Sequence, residues 1–214
     1  MKDKILAHMG SLLGGVVHNL NTPLMWVMGR AQLIQSRNER IPSYKALSDE
    51  ELVKLREKND KDISSMLEGA EKIDAILKGL GYKIQMVNEG HTSVELREYL
   101  EMETNFLLAD MRFKHDTKRE IRLNSRSHYA KADYNALSGA VTGVINAALD
   151  HTDKGRTIRV SLENGVIHLC CPDMKLDDTS RREIDDACSA LSAQADIFTD
   201  DTDGLHVTIT LKDL

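Results

Sequence analysis

The stretch "LLGGVVHNLNTPLMWVMGRAQLI", residues 12–34, has the apolar spacing of a helix, yet His18 and a Thr22-Pro23 pair sit in its middle. Extended toward the N-terminus, the pattern places Ile5, Met9, Leu12, Val16, Leu20, Leu24, Val27, Ala31 and Ile34 at steps of three and four. Such a row is one face of an amphipathic helix. At about 100° per residue, His18 falls on the opposite side. Around it lie Ser11, Gly14, Gly15, Thr22, Met25 and Gly29, a clearing of mostly small residues. Each helix-interior glycine costs about 1 kcal/mol relative to alanine. A surface that keeps three of them is read as a docking face, with Gly14, Gly15, Met25 and Gly29 as its candidate residues. Pro23 has no backbone N–H to give the Asn19 carbonyl, so a bend is expected just after His18.

Working outward, "SRNERIPSYK" (36–45) breaks the pattern with Pro42 and polar residues. A second helix is expected from near Ser48, with a stripe at Ile63, Met66, Ala70, Ile73, Leu77, Leu80, Ile84 and Val87. Two long helices with narrow stripes cannot bury themselves alone. Two such hairpins closing into a four-helix bundle would, which predicts a homodimer.

The pattern changes after "NEGHT" (88–92), giving expected domains at 1–88 and 92–214. Residues 94–112 and 133–149 read as helices, and "REIRLN" (119–124) alternates like a strand. "RTIRVSLENGVIHLCC" (156–171) is two alternating runs joined at Asn164-Gly165, a hairpin signal. Residues 178–193 read as helical, and 195–211 as a last hairpin with an Asp-rich turn. Helices on one side of a mostly antiparallel sheet make an α+β domain.

Composition narrows the function. The 214 residues carry a formal net charge of -6, with Lys and Arg scattered, which argues against nucleic acid as partner. No apolar run reaches the ~20 residues of a membrane span, so no membrane association is expected. Cys170, Cys171 and Cys188 are an odd number and poorly spaced for disulfides or zinc. They fit a reducing cytoplasm, and no metal site is expected. A neutral imidazole near pKa about 6.5 is a competent nucleophile toward phosphorus, which makes His18 the candidate reactive group. The other histidines, His8 and His91 among them, are read as structural or surface residues.

The motif "HNLNTPL" (18–24), within two long helices followed by an α+β domain, resembles the two-component sensor histidine kinases over nearly the whole chain. The resemblance implies a dimerisation and histidine-phosphotransfer hairpin, then a catalytic ATPase domain of the Bergerat α/β-sandwich type. It implies His18 as phospho-acceptor and response-regulator receiver domains as partners, docking at Met25, Gln32 and the exposed face of 59–80. Three departures stand out. The family's acidic base after the histidine is here Asn19, whereas Thr22 occupies the position that assists dephosphorylation. "VTGVINAAL" (141–149) resembles the magnesium-holding N box through Asn146 alone. Where the family carries Asp-x-Gly-x-Gly, this chain has "CCPDMKLDD" (170–178), with Asp173 out of register and no second glycine box.

Phosphates need glycine-rich backbone, a basic residue or a metal. The second domain is therefore expected to be a degenerate ATPase fold with Asn146 vestigial, no nucleotide and no cofactor of its own. Its closest likeness is then the ATP-independent histidine phosphotransferases, for which the receiver supplies Mg²⁺. Two alternatives stay open: a divergent sensor kinase core with autokinase activity, and a non-catalytic pseudokinase that binds receivers.

Overall fold

The computed structural model describes residues 2–41, 43–89, 93–123 and 126–213. Pro42, residues 90–92 of the expected boundary (His91 among them) and Asn124 lie outside them. The chain opens with helix α1 (Lys2–Glu39) and, after a short 3₁₀ turn at Tyr44–Ala46, helix α2 (Asp49–Glu89). Ser48 starts α2 through a capping box: the Glu51 backbone N–H donates to Ser48 Oγ at 3.3 Å, and Ser48 N–H donates to the Glu51 carboxylate at 2.8 Å. There follow β1 (Ser93–Glu95), α3 (Leu96–Leu107), α4 (Met111–His115), β2 (Thr117–Leu123), β3 (Tyr129–Lys131) and α5 (Tyr134–Asp150). The chain closes with β4 (Arg156–Glu163), β5 (Val166–Cys171), α6 (Asp178–Cys188), β6 (Ala195–Asp200) and β7 (Leu205–Asp213). This is the expected α+β architecture, a long helical hairpin followed by a mixed sheet with helices. Among the described residues no helix is long and apolar enough to cross a membrane.

The strands run in the order β1-β3-β7-β5-β4-β2, with β6 also paired to β7. Among the strands of the described residues, β2 and β4 pair in parallel and the other pairs are antiparallel. The β4–β5 hairpin turns at Asn164 and Gly165, with φ of 51° and 81°. A two-residue turn of this kind needs left-handed backbone at both positions, and Asn-Gly supplies it. Strands β4, β5 and β7 alternate between core and surface. Ile158, Val160, Leu162, Ile167, Leu169, Val207 and Ile209 are buried, and α5 lays Leu137, Val141, Val144 and Ile145 into the same core. Each such side chain contributes about 1.5–3 kcal/mol on burial. α5 is apolar nearly all round because it is covered on several sides; Asp133 caps its start by accepting from the Ala136 N–H at 2.9 Å.

The chain forms two compact units, Met1–Gly15 with Gly79–Leu214, and Val16–Lys78. The first unit takes in both ends of the hairpin, for a physical reason. The first unit's core includes Ile5 from the start of α1 and Val87 from the end of α2, with Met9, Tyr82 and Met86 packed against it. Lys83 completes the attachment: its ammonium is buried, paired with Glu103 of α3, and donates to Ser138 Oγ of α5 at 3.1 Å. The strand expected at 119–124 is β2, and the helix expected over 94–112 is broken into α3 and α4. Strands β1 and β3, three residues each, carry no period long enough to read.

Candidate functional site

In the Val16–Lys78 unit the hairpin is knit along one seam. Pro23 is buried there, and a Cβ placed on Gly69 would stand 3.1 Å from the Pro23 carbonyl oxygen and 2.9 Å from Val27 Cγ2. Gly69 is thus the point where α2 passes close to the proline turn of α1. Farther along, Asp62, buried on α2, accepts from Arg30 at 2.8 Å and also from Arg37, which donates to Asn59 at 2.9 Å. The Arg37 bond first, and Arg30 with it, hold the Asp62 carboxyl below the usual carboxylate range.

His18 lies on the far side of α1 from this seam and is exposed, as the sequence pattern requires. Thr22 is exposed one turn on, and its hydroxyl donates to the His18 carbonyl at 3.5 Å. Asn19 beside it is half-buried. Of the expected docking residues, Met25 is 69% exposed, Gln32 is exposed, and Gly14 and Gly29 open onto free space. Gly15 is a correction. It belongs to the first unit, where a Cβ would stand 1.8 Å from the Ala109 carbonyl oxygen, so its clearing is filled by the chain's own backbone.

The single apolar stripe expected on α1 resolves into two rows. Val16, Pro23, Val27 and Ile34 turn toward the seam, whereas Val17, Leu24 and Met28 stand 43–51% exposed. On α2, Ile63, Leu67 and Leu77 are 46–60% exposed. Each row lies about a quarter-turn from the seam in the same rotational sense. Because the helices run antiparallel, both rows fall on one side of the hairpin as an uncovered apolar ledge.

In the other unit, Asn146 lines a cavity of ≈ 410 Å³ between α5, α6 and the start of α1. Gly143 lets α6 approach α5, since a Cβ there would stand 2.3 Å from the Ala187 Cβ. His8 and Lys4 contribute from α1, and Asp150, Glu183 and Asp186 make the lining acidic. His8 is a residue the sequence pattern did not single out. Its burial first, and the Lys83 charge second, hold the ring below the usual imidazole range. The local signal was its place on the Ile5–Met9–Leu12 side of α1, which becomes visible only when another element covers that side. Asp173 lines a different cavity of ≈ 310 Å³, which Asp150 also lines, and faces Arg156 at 3.6 Å.

Cys170, Cys171 and Cys188 are free thiols. Burial pushes Cys188 up to about 11 and raises Cys170 and Cys171 as well, which makes all three poor nucleophiles at neutral pH. Among the described residues no group of three or more His, Cys, Asp or Glu is arranged to hold a metal ion.

No family model matches the chain, and no curated protein matches it. Several solved structures resemble it. The Acinetobacter baumannii histidine kinase AdeS is 14% identical over 92% of this chain and 98% of that chain, with a TM-score of 0.41. Histidine kinase ThkA in complex with the response regulator protein TrrA is 13% identical over 100% of this chain and 64% of that one, with a TM-score of 0.46. The cytoplasmic segment of histidine kinase QseC is 12% identical over 57% and 78%, with a TM-score of 0.43. At these identities and TM-scores the likenesses assign neither family nor activity.

Proposed function

We propose that the chain is a histidine phosphotransferase of two-component signalling, taking a phosphoryl group from one receiver-domain aspartate and passing it to another through His18. The observation that carries this reading is the setting of His18: exposed on a long helix, opposite the hairpin seam, within the "HNLNTPL" motif and on the same helix as the open positions Met25, Gly29 and Gln32.

The chemistry asks little of the protein. A ring nitrogen of neutral His18 attacks the phosphorus of an aspartyl phosphate. The N–P bond forms as the P–O bond to the carboxylate breaks, the carboxylate leaves on the receiver, and the imidazole proton passes to solvent. The reverse sequence hands the group on. An acyl phosphate is already activated, so Asn19 need not act as a base, and Mg²⁺ comes with the receiver. Thr22, exposed one turn from His18, orients a phosphoryl oxygen or a water. The uncovered ledge supports a homodimer, in which two hairpins close a four-helix bundle.

The acidic lining beside Asn146 weighs against ATP as donor, because Asp150, Glu183 and Asp186 oppose a polyphosphate and, among the described residues, no glycine-rich loop lines the cavity. The test is paired: Mg²⁺ and radiolabelled ATP in one arm, a panel of phosphorylated receiver domains in the other, with His18→Ala as blank. Acid-labile label on His18 from receivers alone is the expected result. Label from ATP would establish the kinase reading instead, and no label in either arm would leave a receiver-binding pseudokinase.

A further inference from the structure

The cavity between α5, α6 and the start of α1 has an unmet chemical demand. Two of its polar atoms, Asn146 Oδ1 and His8 Nε2, are buried and have no hydrogen-bond partner among the described residues. An amide oxygen can only accept, so it calls for a donor. The neutral His8 ring also offers a lone pair.

The charges around the cavity are unevenly committed. Asp150 is paired with Arg112, and Glu183 with the His151 ring at 2.8 Å. The Lys83–Glu103 pair beneath the floor cancels itself, and Ser138 and Thr142, which also line the cavity, both turn their hydroxyls to Glu103. Asp186, exposed on α6, has no ion pair among the described residues, and the exposed Lys4 also lines the cavity. The lining is therefore acceptor-rich and acidic, at a size within the range of small-molecule sites.

We propose that this cavity binds a small organic cation of the amine or guanidine class. Its N–H groups donate to Asn146 Oδ1 and His8 Nε2, and its charge is met by Asp186. A guanidinium or a terminal ammonium offers several donors on one cationic head, which these groups can accept together. A single ordered water meets the two orphaned atoms alone, whereas a cation also gains a charge contact with Asp186, exposed at the rim. The site stands apart from the His18 chemistry, so it holds or fails independently of the phosphotransfer reading.

Titration calorimetry on the full chain, with agmatine and spermidine as probes and Mg·ADP as comparator, tests the assignment. The expected result is saturable one-to-one binding of a probe at moderate ionic strength. Asp186→Asn, at an exposed position that leaves the core intact, should weaken it at least tenfold, about 1.4 kcal/mol. Asn146→Leu should weaken it severalfold, with circular dichroism confirming that each variant folds. Three outcomes overturn the proposal: no saturable heat up to about 10 mM probe, equal affinity in wild type and both variants, or displacement of the probe by Mg·ADP. The second would mark diffuse counter-ion binding, and the third a surviving nucleotide site.

Discussion

Lys83→Met is the most informative single change. Lys83 is 2% exposed and Glu103 1%, and the carboxylate also accepts from Thr142 Oγ1 at 2.8 Å and Ser138 Oγ at 3.4 Å. The Lys83 ammonium also sits 4.8 Å from the centre of the Phe106 ring. Removing the cation leaves a buried carboxylate held by two hydroxyls, and breaking such a pair costs about 3–5 kcal/mol. For a unit of this size that corresponds to a fall in Tm of roughly 6–20 °C. The double variant Lys83→Met/Glu103→Leu removes both charges. Its penalty should be far smaller, since apolar replacement of a buried pair ranges from neutral to stabilising. Ser138 and Thr142 then lose their acceptor but can turn to carbonyls four residues back in α5. The assay is urea unfolding followed by near-UV circular dichroism, because Tyr99 and Tyr134 form an edge-to-face pair (5.7 Å between centres) beside this network. Lys83→Met costing under about 1 kcal/mol, or the double variant costing the sum of the singles, would refute the reasoning.

Three further outcomes are expected. Gly143→Ala should destabilise the α/β unit by about 1–3 kcal/mol despite its better helix propensity, because the new methyl meets Ala187; adding Ala187→Gly should restore most of the loss in thermal melts. Leu24→Asp or Leu67→Asp, each on the uncovered ledge, should convert a dimer to a monomer in light scattering; a monomeric wild type would remove the ledge's proposed partner. Asp62 carries a lowered folded-state pKa, so its contribution is present above the unfolded carboxylate pKa of about 3.9 and is lost as pH falls through the folded value. Acid titration of Trp26 fluorescence should therefore show a hairpin transition below that range, and Asp62→Asn should flatten it.

What was legible in the sequence is what repeats or punctuates. The Asn164-Gly165 turn, the Ser48 cap and the side of α1 that carries His18 each rest on residues within a few positions of one another. Strands β1 and β3 are too short to show a period. The α1 stripe is two rows because Leu24 keeps the same three-and-four spacing as Val16 and Val27, although about a quarter-turn separates the ledge from the seam.

The charged groups that matter most were hidden for a different reason. Lys83 reads as an ordinary helix lysine, and Glu103 as one acid of "EMETNF". Nothing in either neighbourhood announces a partner 20 residues away, or the Ser138 hydroxyl a further 35 residues on. His8 and Asn146 are similar: each stands within an apolar row, where the bland expectation is a surface or packing residue. Only when α6 closes against α5 at Gly143 do they line one space with Asp186. The Lys83 network carries the same logic into energetics. A buried pair is weak evidence for stability, but it penalises any arrangement that parts its members. Its place at the end of α2 suits a device that fixes where that helix joins the sheet's helical layer. On that account the double Met/Leu variant, though near wild type in stability, should show looser α2 attachment. Faster amide exchange across Gly79–Glu89 than in wild type is the outcome expected, and unchanged exchange would leave the pair with no role in specifying the join.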